Sequence, residues 1–495
     1  MKTFKYLILI ITGVSFFACS LEEKPNGFLN EENFYKTAGD AESAVLYAYA
    51  VFPELGYFSR YYYYVAHCAT EEFTQKSDAE AGQHELDNYL TTNTTADLAN
   101  VFRHCYLTIN RTFPIIENVP AISMDEGYKN HIIGEAHFLR AYNYYNLVRL
   151  FGEVPLRKKT MTDFNSAGLD LSSIEDIYAY ILEDLQAAIT LMDIQYRYGR
   201  ANKTAAQGLL ANVHLFLASA SESGLTGYGF ADVSGNYSLA KQYAGEVVNN
   251  QTQFRLDPDI QNIFDPVQNL SPTSSPENIF SIVASRSEIG PTNLMSLLST
   301  PFVQTGFTLI PEQGGHTIDF GWDHVIVETP FYDSFDATDR RKELLFMTSY
   351  IDASGNLINT NNDRPYTLKY LDANRSGGEE SGNRISIVRY SEVLLTYAEA
   401  CGNTADGVDA LNQVRQRANL STYTVGDFAS DTAFRDAVIQ ERAWELAFEF
   451  NRLFDLRRSG KMGQVLGNAP YNKTLTNGVY FFDIPFNEID RNPNL

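Results

Sequence analysis

Phe320-Gly321-Trp322-Asp323-His324 sets one of only two tryptophans in the chain beside a carboxylate and an imidazole. A flat indole flanked by hydrogen-bonding groups is what a sugar ring needs. Its C–H face stacks on the aromatic plane, and its hydroxyls take the polar groups. The competing role for Trp322 is to plug a loop-rich segment onto the rest of the fold. Gln83-His84-Glu85 with Tyr89, inside the polar stretch 74–96, forms a second candidate of the same kind. Trp322, Phe320, Tyr89 and His84 are therefore the candidate ligand-binding residues.

Other constellations point away from catalysis. The eight His are scattered, with no HExxH and no paired Cys-x-x-Cys, so no metal site is expected. There is no phosphate-binding glycine loop, no dinucleotide fingerprint and no nucleophile elbow, so no cofactor is expected either. Acidic residues are abundant, but a glycosidase needs two carboxylates at a set separation, and abundance is not a pair. Glu441 falls inside the apolar stripe Phe434, Ala437, Trp444 and Phe448 of a helix expected over 432–450. A carboxylate there is costly unless paired. Arg415, Arg417, Arg452, Arg457 and Arg458 are near in sequence, so a buried ion pair is favoured over a catalytic acid.

The elements that must carry these residues are mostly amphipathic helices. Ile174, Ile177, Ile181, Leu185, Ala188 and Met192 form one helical stripe. Ala206, Leu210, Val213, Leu217 and Ala220 form another, and Ile132, Ala136, Leu139, Tyr142 and Tyr145 a third. Segments near 40–52, 95–117, 238–249, 389–401 and 406–418 also read as helices. Ser172 or Ser173 caps the start of the 173 helix. Small residues at stripe positions let helices approach closely, which suggests stacked pairs of the tetratricopeptide type. The stretch 254–388 differs: it holds nine of the 17 Pro, plus Gly314-Gly315 and Gly377-Gly378, and reads as a loop-rich insertion with a short strand at Ile279–Val283. The run Tyr61–Tyr64 would point all round a helix, so some of these rings must be exposed or packed on a partner.

Composition sets the class. The 495 residues are 44% hydrophobic and 20% charged, enough for a sizeable core. The formal net charge of -23 opposes binding to nucleic acid or an anionic membrane surface. Aromatic usage is lopsided, with 32 Phe and 31 Tyr against 2 Trp. At the N-terminus, Lys2 and Lys5 precede the apolar run Leu7–Phe17, which ends in Ala18-Cys19. The run is too short to span a bilayer and has the length of a signal-peptide core. Its end resembles the lipobox of bacterial lipoproteins, which makes 1–18 the expected signal peptide and Cys19 the expected lipid attachment site. Several acyl chains on one residue anchor stably where a single chain does not. Ser20-Leu21-Glu22-Glu23-Lys24 resembles the surface-export signal of Bacteroidetes lipoproteins. Cys68, Cys105 and Cys401 then remain; Cys68 with Cys105 is a possible pair, but the three are read as small buried side chains.

Several blocks carry a family resemblance. One runs from Gly134 to Tyr142 (Gly-Glu-Ala-His-Phe-Leu-Arg-Ala-Tyr) and on through Leu150-Phe151-Gly152-Glu153-Val154-Pro155-Leu156. Another is Arg389 to Ala400, followed by Leu411-Asn412-Gln413-Val414-Arg415-Gln416-Arg417-Ala418. A third is Glu441-Arg442-Ala443-Trp444-Glu445-Leu446-Ala447-Phe448-Glu449, then Arg452 and Asp455-Leu456-Arg457-Arg458. The end, Phe482-Asp483-Ile484-Pro485 with Asn492-Pro493-Asn494-Leu495, adds to these. Over nearly its whole length the chain resembles the SusD/RagB family of Bacteroidetes outer-membrane nutrient-binding lipoproteins.

The resemblance implies a mainly α fold in which tetratricopeptide-like helix pairs form a superhelical scaffold with an irregular ligand-binding part. It implies a non-enzymatic, lipid-anchored, surface-exposed lid over a SusC-like TonB-dependent transporter of the outer membrane. The implied ligand is an oligosaccharide or polysaccharide, with peptides taken by some members; no nucleic acid is involved. A helical-frame glycoside hydrolase and a purely structural lid are the rivals. The family offers no motif that assigns ligand contacts. The expected layout is a signal peptide (1–18), a lipidated tether (19–35) and a single domain (36–495). That domain comprises a helical scaffold (36–253 and 389–460), the insertion (254–388) and an extended C-terminal segment (461–495).

Overall fold

A computed structural model describes residues 34–161, 168–250, 253–265, 275–284, 293–360, 364–375 and 381–495. The expected signal peptide, Cys19 and nearly all of the tether lie outside the described residues. The fold is mainly helical, as the stripes require. The first helices are α1 (Ala38–Tyr49), α2 (Tyr61–His67), α3 (Ala81–Asp87), α4 (Ala96–Asn118) and α5 (Glu126–Phe151). Then come α6 (Ile174–Leu191), α7 (Lys203–Glu222) and α8 (Val233–Asn250), and after the loop-rich stretch α9 (Tyr390–Cys401), α10 (Ala405–Arg417), α11 (Asp431–Glu445) and α12 (Arg452–Arg458).

Polar caps start many of these helices by satisfying their first free N–H groups. Ser173 accepts from Asp176 N, Asn202 from Ala205 N, Thr404 from Gly407 N and Ser430 from Ala433 N. Successive helices pack as neighbours: α5 on α6, α7 on α8, and α9 on both α8 and α10. All three apolar stripes are buried. Gly134 shows how tight the α5–α6 packing is. A Cβ there would sit 2.6 Å from Met192 Cγ, so only glycine fits between the two helices.

The described part of the stretch between α8 and α9 combines short strands with short helices at Ile260–Phe264, Met295–Leu298, Thr329–Asp333 and Arg340–Leu345. Asn278–Ile282 pairs antiparallel with Ile385–Arg389, which covers the strand expected at 279–283. Phe73–Gln75 pairs with Val325–Val327, tying the α2–α3 connection to this stretch. A small four-stranded sheet takes Leu357–Asn359, Ser349–Ile351, Phe307–Thr308 and Thr317–Ile318 in that order.

A buried ionic network joins these strands to the last helices. Arg389 reaches Glu277 at 2.5 Å, Glu445 at 2.7 Å and Glu449 at 2.6 Å. Arg341 reaches Asp339 and Glu441, each at 2.7 Å, and Lys369 reaches Glu449 at 2.6 Å. Glu441, which also takes Arg415 at 2.9 Å, therefore sits in the buried ion pair expected for it.

Three expectations are corrected. The helix expected over 432–450 stops at Glu445, and Phe448 and Phe450 take left-handed φ of 65° and 66°. The backbone N–H of Phe448 donates to Glu72 Oε1 at 2.9 Å and that of Phe450 to His67 Nε2 at 3.3 Å. Buried side chains thus take the donors that a continuing helix would use. The Tyr run is not turned outward: Tyr62, Tyr63 and Tyr64 have no exposed surface, because α2 is surrounded by other elements, and Tyr61 alone is half-buried. The segment 461–495 is not wholly extended, since Met462–Leu466 and Phe486–Arg491 are helical. Cys68, Cys105 and Cys401 are free thiols.

Candidate functional site

The Trp322 segment forms a ledge fixed by backbone contacts. Trp322 N donates to Leu297 O at 2.8 Å, Asp323 N to Thr300 O at 3.0 Å and His324 N to Leu298 O at 3.0 Å. Gly321 lies so close to this support that a Cβ would meet Thr300 O at 2.1 Å. Asp323 has a φ of 58°, and its carboxylate accepts from the Tyr366 hydroxyl. These contacts hold the indole of Trp322 half-buried, 5.5 Å from the His324 ring.

The polar surroundings come from distant parts of the chain. Lys76 Nζ donates to Trp322 O at 3.3 Å. Tyr64 Oη hydrogen-bonds His324 Nδ1 at 3.0 Å. Burial, helped by the nearby Lys76 and Arg60 charges, holds the His324 imidazole below its ordinary pKa, so it is neutral at pH 7. Burial likewise pushes the Asp323 carboxyl up, against the opposing hydrogen bond from Tyr366. Phe320 is half-buried under the Arg375 guanidinium, which stands 5.2 Å from the ring centre and also binds Asp319 and Phe320 O.

His84 is exposed on α3, and its Nδ1 is hydrogen-bonded to Gln75 Nε2 at 2.8 Å. Gln75 faces Val325 in the strand pair, next to His324. The structure therefore links His84, through Gln75, to the strand that follows the Trp322 segment, while Phe320 on that segment lies against Arg375. Tyr89 is not part of this surface and is withdrawn as a ligand contact. It is 1% exposed, and its hydroxyl donates to Ala69 O at 2.6 Å, so neither face of the ring is open to a sugar.

Beyond the ledge lies a cleft of about 830 Å³, within the size range of small-molecule sites. Tyr49, Phe52, Tyr61, Tyr198 and Phe280 line it, with Arg103 and His104 among its polar groups. Arg60 connects the two regions: its guanidinium lies 5.2 Å from the Tyr61 ring centre and 5.9 Å from that of Tyr64. Arg60, Lys76, Tyr61 and Tyr198 were not singled out as ligand contacts from the sequence. The Tyr61–Tyr64 run was the one visible signal near them. Among the described residues no group of His, Cys, Asp and Glu is arranged to hold a metal ion. A ledge and cleft of this kind can bind and orient a ligand by stacking and hydrogen bonding.

Comparison with known proteins gives this geometry a family. The model described as "SusD family" matches residues 341–495, and the one described as "Starch-binding associating with outer membrane" matches residues 55–215. SusD-like protein P2 of Formosa agariphila is 28% identical, over 100% of this chain and 99% of its own length. Among solved structures, a SusD superfamily protein from Parabacteroides distasonis superposes with a TM-score of 0.78 at 20% identity, covering 94% of this chain and 99% of its own. Surface glycan-binding protein A from Bacteroides thetaiotaomicron, in complex with laminarihexaose, superposes with a TM-score of 0.74 at 20% identity, covering 93% and 98%. The helix pairs, the stretch of short strands and helices between α8 and α9 and the two matched segments agree: the chain belongs to the SusD/RagB family.

Proposed function

We propose that this protein is a cell-surface glycan-binding lipoprotein that captures oligosaccharide or polysaccharide and delivers it, without cleaving it, to a SusC-like TonB-dependent outer-membrane transporter on which it acts as the lid. The observation that carries this reading is the Trp322 ledge, an indole held half-open by three backbone hydrogen bonds with hydrogen-bonding side chains around it. A pre-positioned aromatic face loses little freedom on binding, so stacking contributes most of its worth to affinity. A solved relative in complex with laminarihexaose supports the same reading. Anchoring by lipid on Cys19 accounts for an acidic protein held at a membrane without basic residues.

Isothermal titration with a panel of purified polysaccharides tests the binding step. Heat of binding to at least one glycan, with no release of reducing sugar, is the expected result. Binding of peptides and of no glycan would sink it. Replacement of Cys19 by Ser should release the protein from the outer-membrane fraction, and co-purification with a barrel partner tests delivery.

A further inference from the structure

We infer that the glycan held on the Trp322 ledge is electrically neutral, not a sulfated or uronate-rich polymer. The inference rests on the glycan-binding reading and concerns only the charge of the ligand. Among the described residues, three cations around the ledge, Arg60, Lys76 and Arg375, each have a carboxylate beside them. Arg60 is paired with Glu80, and Lys76 lies 3.5 Å from Asp78. Arg375 is paired with Asp319 and is itself almost fully buried. Arg364 acts electrostatically on Asp323, whose carboxylate already takes the Tyr366 hydroxyl. Glu85, next to His84, adds a further negative charge and accepts from Thr95. Among the described residues the cations of the ledge thus do not outnumber its carboxylates.

Recognition of sulfate or carboxylate relies on guanidinium or ammonium groups whose donors are free to face the anion. Here a polyanion would have to break existing pairs, and the bared carboxylates would then repel it. The surrounding field has the same sign, since the whole chain carries -23. The groups left for a ligand are an indole face, imidazoles, phenols and amides, all of which suit uncharged hydroxyls.

Affinity electrophoresis of the full chain can test this with matched pairs of polymers. The neutral set would be laminarin, starch, arabinoxylan, xyloglucan and galactomannan, each run beside a chemically sulfated preparation of itself. At least one neutral polymer should retard the protein. Its sulfated partner should bind about tenfold more weakly or worse at low salt, and the neutral affinity should not change with added salt. Tighter binding of a sulfated polymer, weakening as salt rises, would overturn neutrality while leaving the glycan-binding reading intact. Binding of no polymer in either set would overturn both. Glu80→Gln, which frees Arg60, should raise affinity for the sulfated form of the bound polymer about threefold or more at low salt. An unchanged affinity in that variant would show that charge pairing is not what excludes anions.

Discussion

The ledge around Trp322 and the network around Glu445 are made of the same materials, Arg–carboxylate pairs beside aromatic rings. They differ in access to water. Glu445 is fully buried and shared by Arg389, Arg341 and Arg417. Burial alone would raise its pKa, but Arg417, Arg389 and Arg341 outweigh that and hold the carboxyl well below its ordinary value. At the ledge, Glu80, Asp78 and Asp319 are largely open to solvent. Ion pairs there are worth little to stability, and their consequence is the charge a ligand meets. Paired charge holds the fold together in one place and sets selectivity in the other.

The hardest test of that contrast is Glu445→Ala. Removing one member of a buried ion cluster leaves its cationic partners uncompensated and should cost about 3–5 kcal/mol. A large drop in melting temperature is expected, together with loss of the contact between α11 and the strand Ile385–Arg389. A variant that melts within a degree or two of the parent would mean that the network is not what joins them.

Glu392 sharpens the contrast from inside the core. It is buried on α9 and accepts from Asn212 Nδ2 at 2.8 Å. Burial pushes its carboxyl up to about 7, despite the opposing charges of Arg442 and Arg389. A carboxyl whose pKa is raised on folding keeps its proton better in the folded state. Its contribution is therefore fully present below the unfolded value of about 4.5 and is lost as pH rises towards 7, costing up to about 3 kcal/mol above that. Glu445 has the opposite sign, losing its contribution as pH falls. Glu392→Gln should flatten the rise of stability on acidification between pH 7 and 5, and should be more stable than the parent at pH 8. Denaturant midpoints across pH would expose the reverse.

At the ledge, Trp322→Ala should leave the melting temperature nearly unchanged and weaken glycan binding by about 2 kcal/mol, roughly thirtyfold. Unaltered affinity would move the site into the cleft lined by Tyr61 and Tyr198. His84→Ala, at the exposed margin, should cost severalfold less than Trp322→Ala.

The legibility of these regions followed the range of the contacts that make them. The stripes of α5, α6 and α7 are local periodicities, and all three are buried. The pentapeptide at 320–324 was visible because its unusual composition is also local. Arg60 and Lys76 were missed because they reach the ledge across more than two hundred residues, as Lys76 to Trp322 shows. The helix expected to 450 failed for the same reason, since its terminator is Glu72, on the far side of the chain. The Tyr run misled because an isolated helix must expose part of its surface, whereas other elements cover every residue of α2 but Tyr61, which is half-buried at the cleft.

Tyr89 is the smallest and cleanest way to separate the two regions. It sits beside Asn88 and near His84, both exposed, yet the C-terminal segment closes over it. Asn477 N donates to Tyr89 O at 3.1 Å, and the Thr476 hydroxyl donates to the same carbonyl. No local feature of the sequence announces a contact of that length. Tyr89→Phe removes only the hydroxyl that reaches Ala69 O, so it should lower stability by about 1 kcal/mol. Glycan affinity should not move, because the ring never meets the ligand. A variant with normal stability and weakened binding would put Tyr89 back on the ledge and show that the C-terminal cover opens when ligand arrives.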